Sequence, residues 1–225
     1  MQVSSDSFEA AGYAAVSAVL DARTCEAISR RIRTSSISGG TRNLLAKPWC
    51  VALVERLRKH PGLSAVVPSG HLAIQCTYFE KSASRNWAVS AHQDLSIPVA
   101  ERIEGAGLTG WSRKEGSLFV QPPAELLGQL VAVRVHLEAC TAADGPLSVI
   151  PGSHRFGRMT EHELAAARRS TAEVTCTATA GEALAMRPLL VHSSRKASGS
   201  SRRRVLHLVF GPRIPGYGLR WQYAA

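Results

Sequence analysis

The stretch Ala91-His92-Gln93-Asp94-Leu95 decides how the rest of the chain is interpreted. The preceding residues, Arg85 to Ala91, alternate loosely between polar and apolar side chains, which predicts a strand that leads into a turn. Because side chains two positions apart on a strand point to the same face, His92 and Asp94 would place an imidazole beside a carboxylate. His-x-Asp alone is common by chance, and a surface turn is its ordinary explanation, so a chemical interpretation needs further parts.

A distant histidine could complete a metal site around His92 and Asp94. Of the eight histidines in the sequence, His192 is the best candidate, because it ends an apolar strand predicted from Leu189 to Val191. A single histidine at a strand end is more often structural, but its combination with His-x-Asp favours a ligand. Two imidazoles and one carboxylate form the facial triad that holds Fe(II) in non-haem oxygenases and leaves coordination positions open.

The last predicted strand carries a candidate anion site. It begins with three consecutive arginines, Arg202 to Arg204, and runs to Phe210. Alternation puts Arg203 on one face with His207, and Arg204 on the more apolar face that we expect to pack under outer helices. A 2-oxo acid that chelates iron through its keto group and one carboxylate still has a second carboxylate to bind, and arginine suits that task. The competing explanation is a basic strand end in water.

Length and composition indicate one globular domain spanning residues 1–225. Hydrophobic residues make up 45% of the 225 residues and charged residues 20%. The five cysteines are scattered without a Cys-x-x-Cys pair, which argues against a disulfide framework or a structural zinc site and favours a reducing compartment. Residues 1–10 lack the pattern of a signal peptide, and no apolar stretch approaches the length of a membrane span, so we expect a cytoplasmic protein without membrane contact.

The positive charge raises the question of nucleic-acid binding. Lys and Arg number 27 against 17 Asp and Glu, which gives a formal net charge of +10. The basic residues are spread along the chain, and aromatic residues are only 6% of it, so no stacking platform accompanies them. We therefore expect a solvated basic surface or attraction to an anionic small molecule, and do not expect a nucleic-acid partner. The sequence does not predict the oligomeric state.

The distribution of predicted elements favours a mainly β fold. Residues 1–70 form a largely helical part, and residues 71–212 contain many short strands separated by turns, which is typical of a jelly roll with N-terminal α-helices packed outside it. Residues 97–116 contain four glycines and no clear pattern. We interpret them as an irregular segment, either a lid over the site or a plain insertion.

Three motifs together resemble the phytanoyl-CoA dioxygenase family, in the branch of bacterial members that act on small molecules. They are His92-Gln93-Asp94-Leu95; Asp144-Gly145-Pro146-Leu147 with Ile150-Pro151-Gly152-Ser153-His154; and His192 with Arg203. The likeness covers about residues 70–212 in the same order. It implies a double-stranded β-helix, the cupin-like form of the jelly roll, and an oxygenase that depends on Fe(II), 2-oxoglutarate and O2.

The resemblance implies a role for each matching position. His92, Asp94 and His192 would be the catalytic metal ligands, and Arg203 would hold the far carboxylate of 2-oxoglutarate. Ser194, two residues after the distal histidine, would touch the co-substrate, and we assign Lys81 to the same group.

Four further residues are candidates for binding substrate: Arg134, Trp87, Gln93 and Arg42. Arg134 stands where many relatives carry a bulky aromatic residue. If its side chain is buried, it needs an anionic partner. That partner could be 2-oxoglutarate, an acidic group of the substrate, or a protein carboxylate such as Glu138.

These observations predict a dioxygenase that hydroxylates an unactivated C–H bond of a small acidic or polar metabolite. Asp94 favours hydroxylation over halogenation, because a halogenase of this type needs an open position in place of the carboxylate. Two alternatives stay open. One is a cupin-like metal oxygenase that does not use 2-oxoglutarate, and the other is a nucleic-acid-directed oxygenase or binding protein, suggested by the basic charge.

Overall fold

A computed structural model describes residues 4–32, 40–199 and 202–225, and six α-helices lie within these ranges. Their starts follow ordinary capping rules. Asp21 accepts a hydrogen bond from the Thr24 backbone N–H at 2.7 Å, Pro48 occupies the first turn of its helix, and Thr160 caps a third helix. The helices are α1 (Ser5–Ala11), α2 (Ala22–Arg31), α3 (Pro48–Arg58), α4 (Pro61–Ser64), α5 (Ala124–Gln129) and α6 (Glu161–Ser170).

Thirteen strands lie in the same described ranges. They are β1 (Tyr13–Val16), β2 (Gly40–Thr41), β3 (His71–Lys81), β4 (Val89–His92), β5 (Ile97–Val99), β6 (Thr109–Lys114), β7 (Ser117–Gln121), β8 (Val131–His136), β9 (Leu147–Val149), β10 (Val174–Cys176), β11 (Ala183–Met186), β12 (His192–Ser194) and β13 (Arg203–Pro212). Short 3-10 turns at Leu44–Ala46, Ala142–Asp144 and Ser153–Phe156 connect some of them.

Ten of the thirteen strands form two antiparallel sheets around one cavity. The large sheet has the order β1-β11-β8-β13-β3-β2, and the small sheet has the order β10-β9-β12-β4. In the large sheet, His207 of β13 pairs with Arg134 of β8 on one side and with Thr77 of β3 on the other, while Arg203 pairs with Lys81. The predicted mainly β, cupin-like fold with flanking helices is confirmed.

Alternation along β13 separates an outer face from an inner face, as predicted. Leu206, Leu208 and Phe210 are buried in one core cluster with Leu53 and Leu57 of α3. Fully burying a leucine or phenylalanine side chain contributes about 1.5–3 kcal/mol relative to leaving it exposed. The N-terminal helices therefore cover the outer face of the large sheet, and the inner face is free to line the cavity.

The prediction of an irregular segment at 97–116 is wrong. Strands β5 and β6 from this segment pair with β7 in a third antiparallel sheet, ordered β5-β7-β6. Ile97, Val99 and Val120 are buried there in a second core cluster. The strands are short and separated by glycines, so their pairing leaves little pattern in the sequence.

The helices were compared with the length and hydropathy of a membrane span. Within the described residues, none of them combines the length and apolar character that a membrane span requires.

Candidate metal site and cavity

Two paired strands and one turn bring His92, Asp94 and His192 together. His92 of β4 and His192 of β12 are direct partners across the small sheet, and their ring centroids lie 4.2 Å apart. Asp94 follows in the turn, where its backbone N–H donates to the carbonyl of Pro188 at 2.9 Å. Its carboxylate oxygens lie 3.7 Å from His92 Nε2 and 3.8 Å from His192 Nε2. All three ligand atoms fall within 4.8 Å of one another.

Backbone carbonyls fix which nitrogen of each ring faces this gap. Nδ1 of His92 lies 2.9 Å from the carbonyl of Ser90, and Nδ1 of His192 lies 2.8 Å from that of Leu190. A carbonyl only accepts, so both Nδ1 atoms carry a hydrogen, and Nε2 is the nitrogen of each ring that faces Asp94. Burial lowers the pKa of His192 to about 4, so this ring is neutral at neutral pH.

The charge on Asp94 completes the donor set. Burial would raise the pKa of this carboxyl group, but electrostatic interaction with His192, His207, His92 and Arg134 outweighs that effect and holds the pKa below its ordinary value. Two imidazoles and one carboxylate are a chemically suitable set for a divalent first-row metal such as Fe(II). The residues present therefore fit the metal that the sequence predicts.

A cavity of about 400 Å³ lies against these three residues and extends between the two sheets. Its lining includes the predicted Arg203, Ser194, Arg134, Trp87, Gln93 and Arg42. Of the predicted site residues, only Lys81 does not line it. The cavity wall contains four cationic side chains, with Lys114 as the fourth, but Asp94 is its only carboxylate within the described part of the chain.

Arg203 is buried, with 5% of its surface exposed, at one end of the cavity. Its guanidinium donates to the carbonyl of Gly145, and its Nε has no hydrogen-bond partner among the described residues. Gly145 adopts φ 61°, and a Cβ there would lie 2.4 Å from the carbonyl oxygen of Arg195. Glycine is therefore needed at this turn, and the turn positions the carbonyl that Arg203 contacts.

Lys81 lies behind Ser194 and holds it from outside the cavity lining. Its Nζ donates to Ser194 Oγ at 3.0 Å and to the carbonyl of Arg195 at 2.9 Å, and it lies 5.5 Å from the centre of the Trp87 ring. Burial, followed by the positive charge of Arg203, lowers the pKa of Lys81 to about 8. Lys81 therefore contacts the cavity wall through two of its lining residues, Ser194 and Trp87.

The sequence interpretation did not assign a role to His207, which lies beside the predicted Arg134. Nη1 of Arg134 is 3.1 Å from Nδ1 of His207, and its guanidinium stacks 5.6 Å from the centre of the Phe79 ring. A guanidinium only donates, so Nδ1 of His207 accepts and the hydrogen is on Nε2. That N–H faces Asp94, with Nε2 3.8 Å from Oδ2. In the sequence, alternation along the last strand places His207 on the same inner face as Arg203, and this pattern could have identified His207 as a site residue.

Two other predicted substrate contacts, Gln93 and Arg42, can now be located. Gln93 is satisfied by backbone: its amide donates to Gly157 and Leu189 carbonyls at 2.7 Å each and accepts from the Met159 N–H at 2.8 Å. It therefore ties the turn of the metal site to two other segments. Arg42 pairs with Glu115 at 2.7 Å.

Glu138 is not the partner of Arg134, although the sequence allowed that pairing. Glu138 forms an ion pair with Arg204 on the outer side of the large sheet. The two arginines point to opposite sides of the large sheet. Arg204 shares the helix-covered face of β13 with Leu206 and Leu208, whereas Arg134 on β8 lines the cavity.

Comparisons with solved structures show the fold. HygX from Streptomyces hygroscopicus, crystallised with nickel and 2-oxoglutarate bound, is 16% identical with a TM-score of 0.63 and covers 92% of this chain and 85% of its own. EctD from S. alaskensis in its apoform is 18% identical with a TM-score of 0.67, covering 92% and 75%. SnoN, a non-haem α-ketoglutarate-dependent epimerase from nogalamycin biosynthesis, is 18% identical with a TM-score of 0.63, covering 95% and 85%.

Sequence comparisons give the family. No curated protein matches this sequence significantly. The family model described as Phytanoyl-CoA dioxygenase (PhyH) matches residues 8–205, which is most of the chain and includes the metal-site histidines, Asp94 and Arg203. The resemblance inferred from the motifs is thereby confirmed, and the chain belongs to the phytanoyl-CoA dioxygenase family, whose members are Fe(II)- and 2-oxoglutarate-dependent enzymes that act on small molecules.

Proposed function

We propose that this protein is an Fe(II)- and 2-oxoglutarate-dependent dioxygenase that hydroxylates an unactivated C–H bond of a small acidic or polar metabolite. The observation that carries the proposal is the convergence of His92, Asp94 and His192 at one side of a cavity that also contains the buried Arg203. A triad of this type binds Fe(II), and a buried arginine binds a carboxylate. HygX, which shares the fold, has 2-oxoglutarate bound.

His92, Asp94 and His192 would hold the iron, and Arg203 would hold the far carboxylate of 2-oxoglutarate. When bound, iron and 2-oxoglutarate supply the activation of O2 for attack on a C–H bond. The contribution of the chain is positioning and exclusion of water. Ser194, fixed by Lys81, offers a hydroxyl oxygen on the cavity wall for a hydrogen bond to the co-substrate. Trp87 and Arg42 would contact the substrate from the same wall.

The outcome of the reaction is the part of the proposal that the fold does not decide. SnoN is an epimerase and SnoK, with a TM-score of 0.62, is a carbocyclase, although both depend on α-ketoglutarate. Hydroxylation is proposed because the Asp94 carboxylate occupies the ligand position that a halogenase leaves open. An oxygenase that does not use 2-oxoglutarate is the alternative that the experiment below separates.

The first test is an anaerobic titration of the metal-free protein with Fe(II) and then 2-oxoglutarate, followed by the visible charge-transfer band of the chelate. We expect a band in the wild type, no band in His192→Ala, and a band in Arg203→Ala only at much higher 2-oxoglutarate. Arg202→Ala, in which an exposed neighbouring arginine is removed, is the matched control. A metal-replete wild type without a band would contradict the use of 2-oxoglutarate.

The hydroxylase outcome needs a product measurement. Candidate organic acids are incubated with the loaded enzyme under 18O2, and the products are analysed by mass spectrometry. Gain of one labelled oxygen atom with formation of succinate supports hydroxylation. A product of unchanged elemental composition, or one that has lost two hydrogens, would contradict it and favour epimerisation or ring closure.

A further inference from the structure

Three cations are buried close together on the inner face of the large sheet. Lys81, Arg134 and Arg203 have 1%, 7% and 5% of their surfaces exposed. Each interacts electrostatically with at least one of the others, and these interactions lower the pKa of Lys81 and of Arg134. Among the described residues, the carboxylates that act on the two arginines are Asp94, near Arg134, and Asp144, near Arg203. The buried cations at this site therefore outnumber the carboxylates that act on them.

Binding of the metal and the co-substrate would not change this excess of positive charge. Fe(II) carries two positive charges, and 2-oxoglutarate carries two negative charges, so together they are neutral. With Asp94 and Asp144 offsetting two of the three buried cations, one positive charge stays unbalanced. A buried unpaired cation is strongly destabilising, so the complete site requires one more negative charge.

Arg134 is the cation whose guanidinium lies on the cavity wall and is not already assigned to a ligand. Lys81 already donates to Ser194 and to a backbone carbonyl and does not line the cavity. Arg134 lines the cavity, uses Nη1 for His207, and has no partner at Nε among the described residues. Phe79 and His207 hold its guanidinium, and the two aromatic rings are 6.1 Å apart in an edge-to-face arrangement. A guanidinium held in this way binds a carboxylate with little loss of side-chain freedom.

The strand register places Arg134 far from Arg203, the proposed co-substrate arginine. Arg134 on β8 is opposite His207 on β13, and Arg203 lies four residues before His207 on β13, which is about 13 Å at the usual rise per residue. His207 in turn reaches within 3.8 Å of the metal-site carboxylate of Asp94. Arg134 is therefore level with the metal site, and Arg203 is at a distance from it. An anion on Arg134 would lie beside the metal.

We propose that Arg134 binds a carboxylate of the substrate, so that the substrate is a small organic acid held by this group next to the metal. This inference rests on the proposed function and adds the substrate class and the residue that selects it. His207 is a positioning residue, because it contacts Arg134 rather than the carboxylate. Lys114 on the cavity wall adds to the positive field that such an acid would meet, whereas the charge of Arg42 is already paired with Glu115.

The test uses the anaerobic wild-type complex saturated with Fe(II) and 2-oxoglutarate in a zwitterionic buffer of low ionic strength. The probes are acetate, propionate and benzoate, each compared with its neutral amide. Binding is followed by calorimetry and by the shift of the charge-transfer band. The variants are Arg134→Met, which removes the charge, Arg134→Lys, which keeps it, and Arg202→Met as the exposed control.

We expect at least one carboxylate to bind at least about tenfold more tightly than its amide, as is typical of a charge-assisted hydrogen bond. This preference should disappear in Arg134→Met and persist in Arg134→Lys and Arg202→Met. The Kd of 2-oxoglutarate should change less than about threefold in Arg134→Met, whereas a loss of one of its own carboxylate contacts would cost tenfold or more.

Three results would overturn the inference, and each differs from a failure of the proposed function. Wild-type protein that shows the band but does not prefer any carboxylate over its amide would exclude an acid site. A tenfold weaker affinity for 2-oxoglutarate in Arg134→Met would assign Arg134 to the co-substrate. Loss of the band on adding the carboxylates would show displacement of 2-oxoglutarate. If Arg134→Met does not fold, a wild type without a carboxylate preference still overturns the inference. Absence of the band from the start would instead contradict the proposed function.

Discussion

The small sheet and the large sheet contribute different chemistry to one cavity. The small sheet and its following turn supply two imidazoles and a carboxylate, which suit a metal cation. The inner face of the large sheet supplies buried Arg134 and Arg203, which suit anions. One wall of the cavity thus has groups that suit a metal and another has groups that suit anions. We therefore expect a ligand that carries both kinds of group to lie across the cavity between the two sheets.

The largest expected effect comes from removing a ligand of the small sheet. His192→Ala should weaken Fe(II) binding at least about 100-fold, because loss of a mere supporting contact to a ligand already costs 10–100-fold. Calorimetry with Fe(II) under anaerobic conditions measures it. His162→Ala on α6, where the side chain is exposed, is the control and should bind normally. Equal metal affinity in His192→Ala and His162→Ala would show that His192 of the small sheet is not a metal ligand.

On the large sheet, Arg203→Met should raise the Kd of 2-oxoglutarate about 30-fold. Truncating one partner of a buried charged contact costs about 2 kcal/mol at the lower end, and 1.4 kcal/mol corresponds to tenfold. Metal affinity in the absence of 2-oxoglutarate should be unchanged, which separates the two sheets. Arg202→Met is the matched control. If Arg203→Met weakened metal binding instead, the assignment of the metal to the small sheet and of the anion to the large sheet would be wrong.

His207 tests whether the two sheets communicate, since it joins Arg134 to Asp94. His207→Phe removes the N–H that faces Asp94, where Nε2 lies 3.8 Å from Oδ2. We expect about tenfold weaker Fe(II) binding, which is the lower end of the 10–100-fold loss typical when a residue that contacts a metal ligand is removed. His207→Asn, which can still accept from Arg134 near the position of Nδ1, should lose the same metal affinity but keep the carboxylate preference. A metal affinity unchanged in both variants would show that the large sheet does not influence the ligands.

The metal site was easier to predict from sequence than the anion face. His92 and Asp94 lie two residues apart on one strand end, and alternation alone placed Arg203 inward. The fold and family followed from the same motifs. The contact of Arg134 with His207 depends on the pairing of β8 with β13, which are far apart in the chain, so no local pattern reveals it. The position of Lys81 behind Ser194 depends on tertiary structure in the same way. The roles of these residues, and the single domain over 1–225, stay predictions.

The last prediction concerns folding stability rather than binding, and it measures the field of the cationic face itself. His136 follows Arg134 on the inner side of β8, and burial, together with the charges of Arg134 and Arg203, lowers its pKa to about 3. The unfolded chain binds a proton at this residue below pH 6.5 and the folded chain does not, so folding stability is complete above pH 6.5 and is lost as the pH falls towards 3.

Between pH 7 and pH 5, His136→Gln should therefore lose about 2 kcal/mol less folding free energy than the wild type, measured by urea unfolding of the metal-free protein. His162→Gln is the exposed control and should follow the wild type. Because burial is the larger cause of the shift, Arg134→Met should reduce the acid sensitivity only in part. A wild type and a His136→Gln variant with the same pH dependence would mean that the large sheet does not keep His136 neutral, and the contrast between the two sheets would then be weaker than their residues indicate.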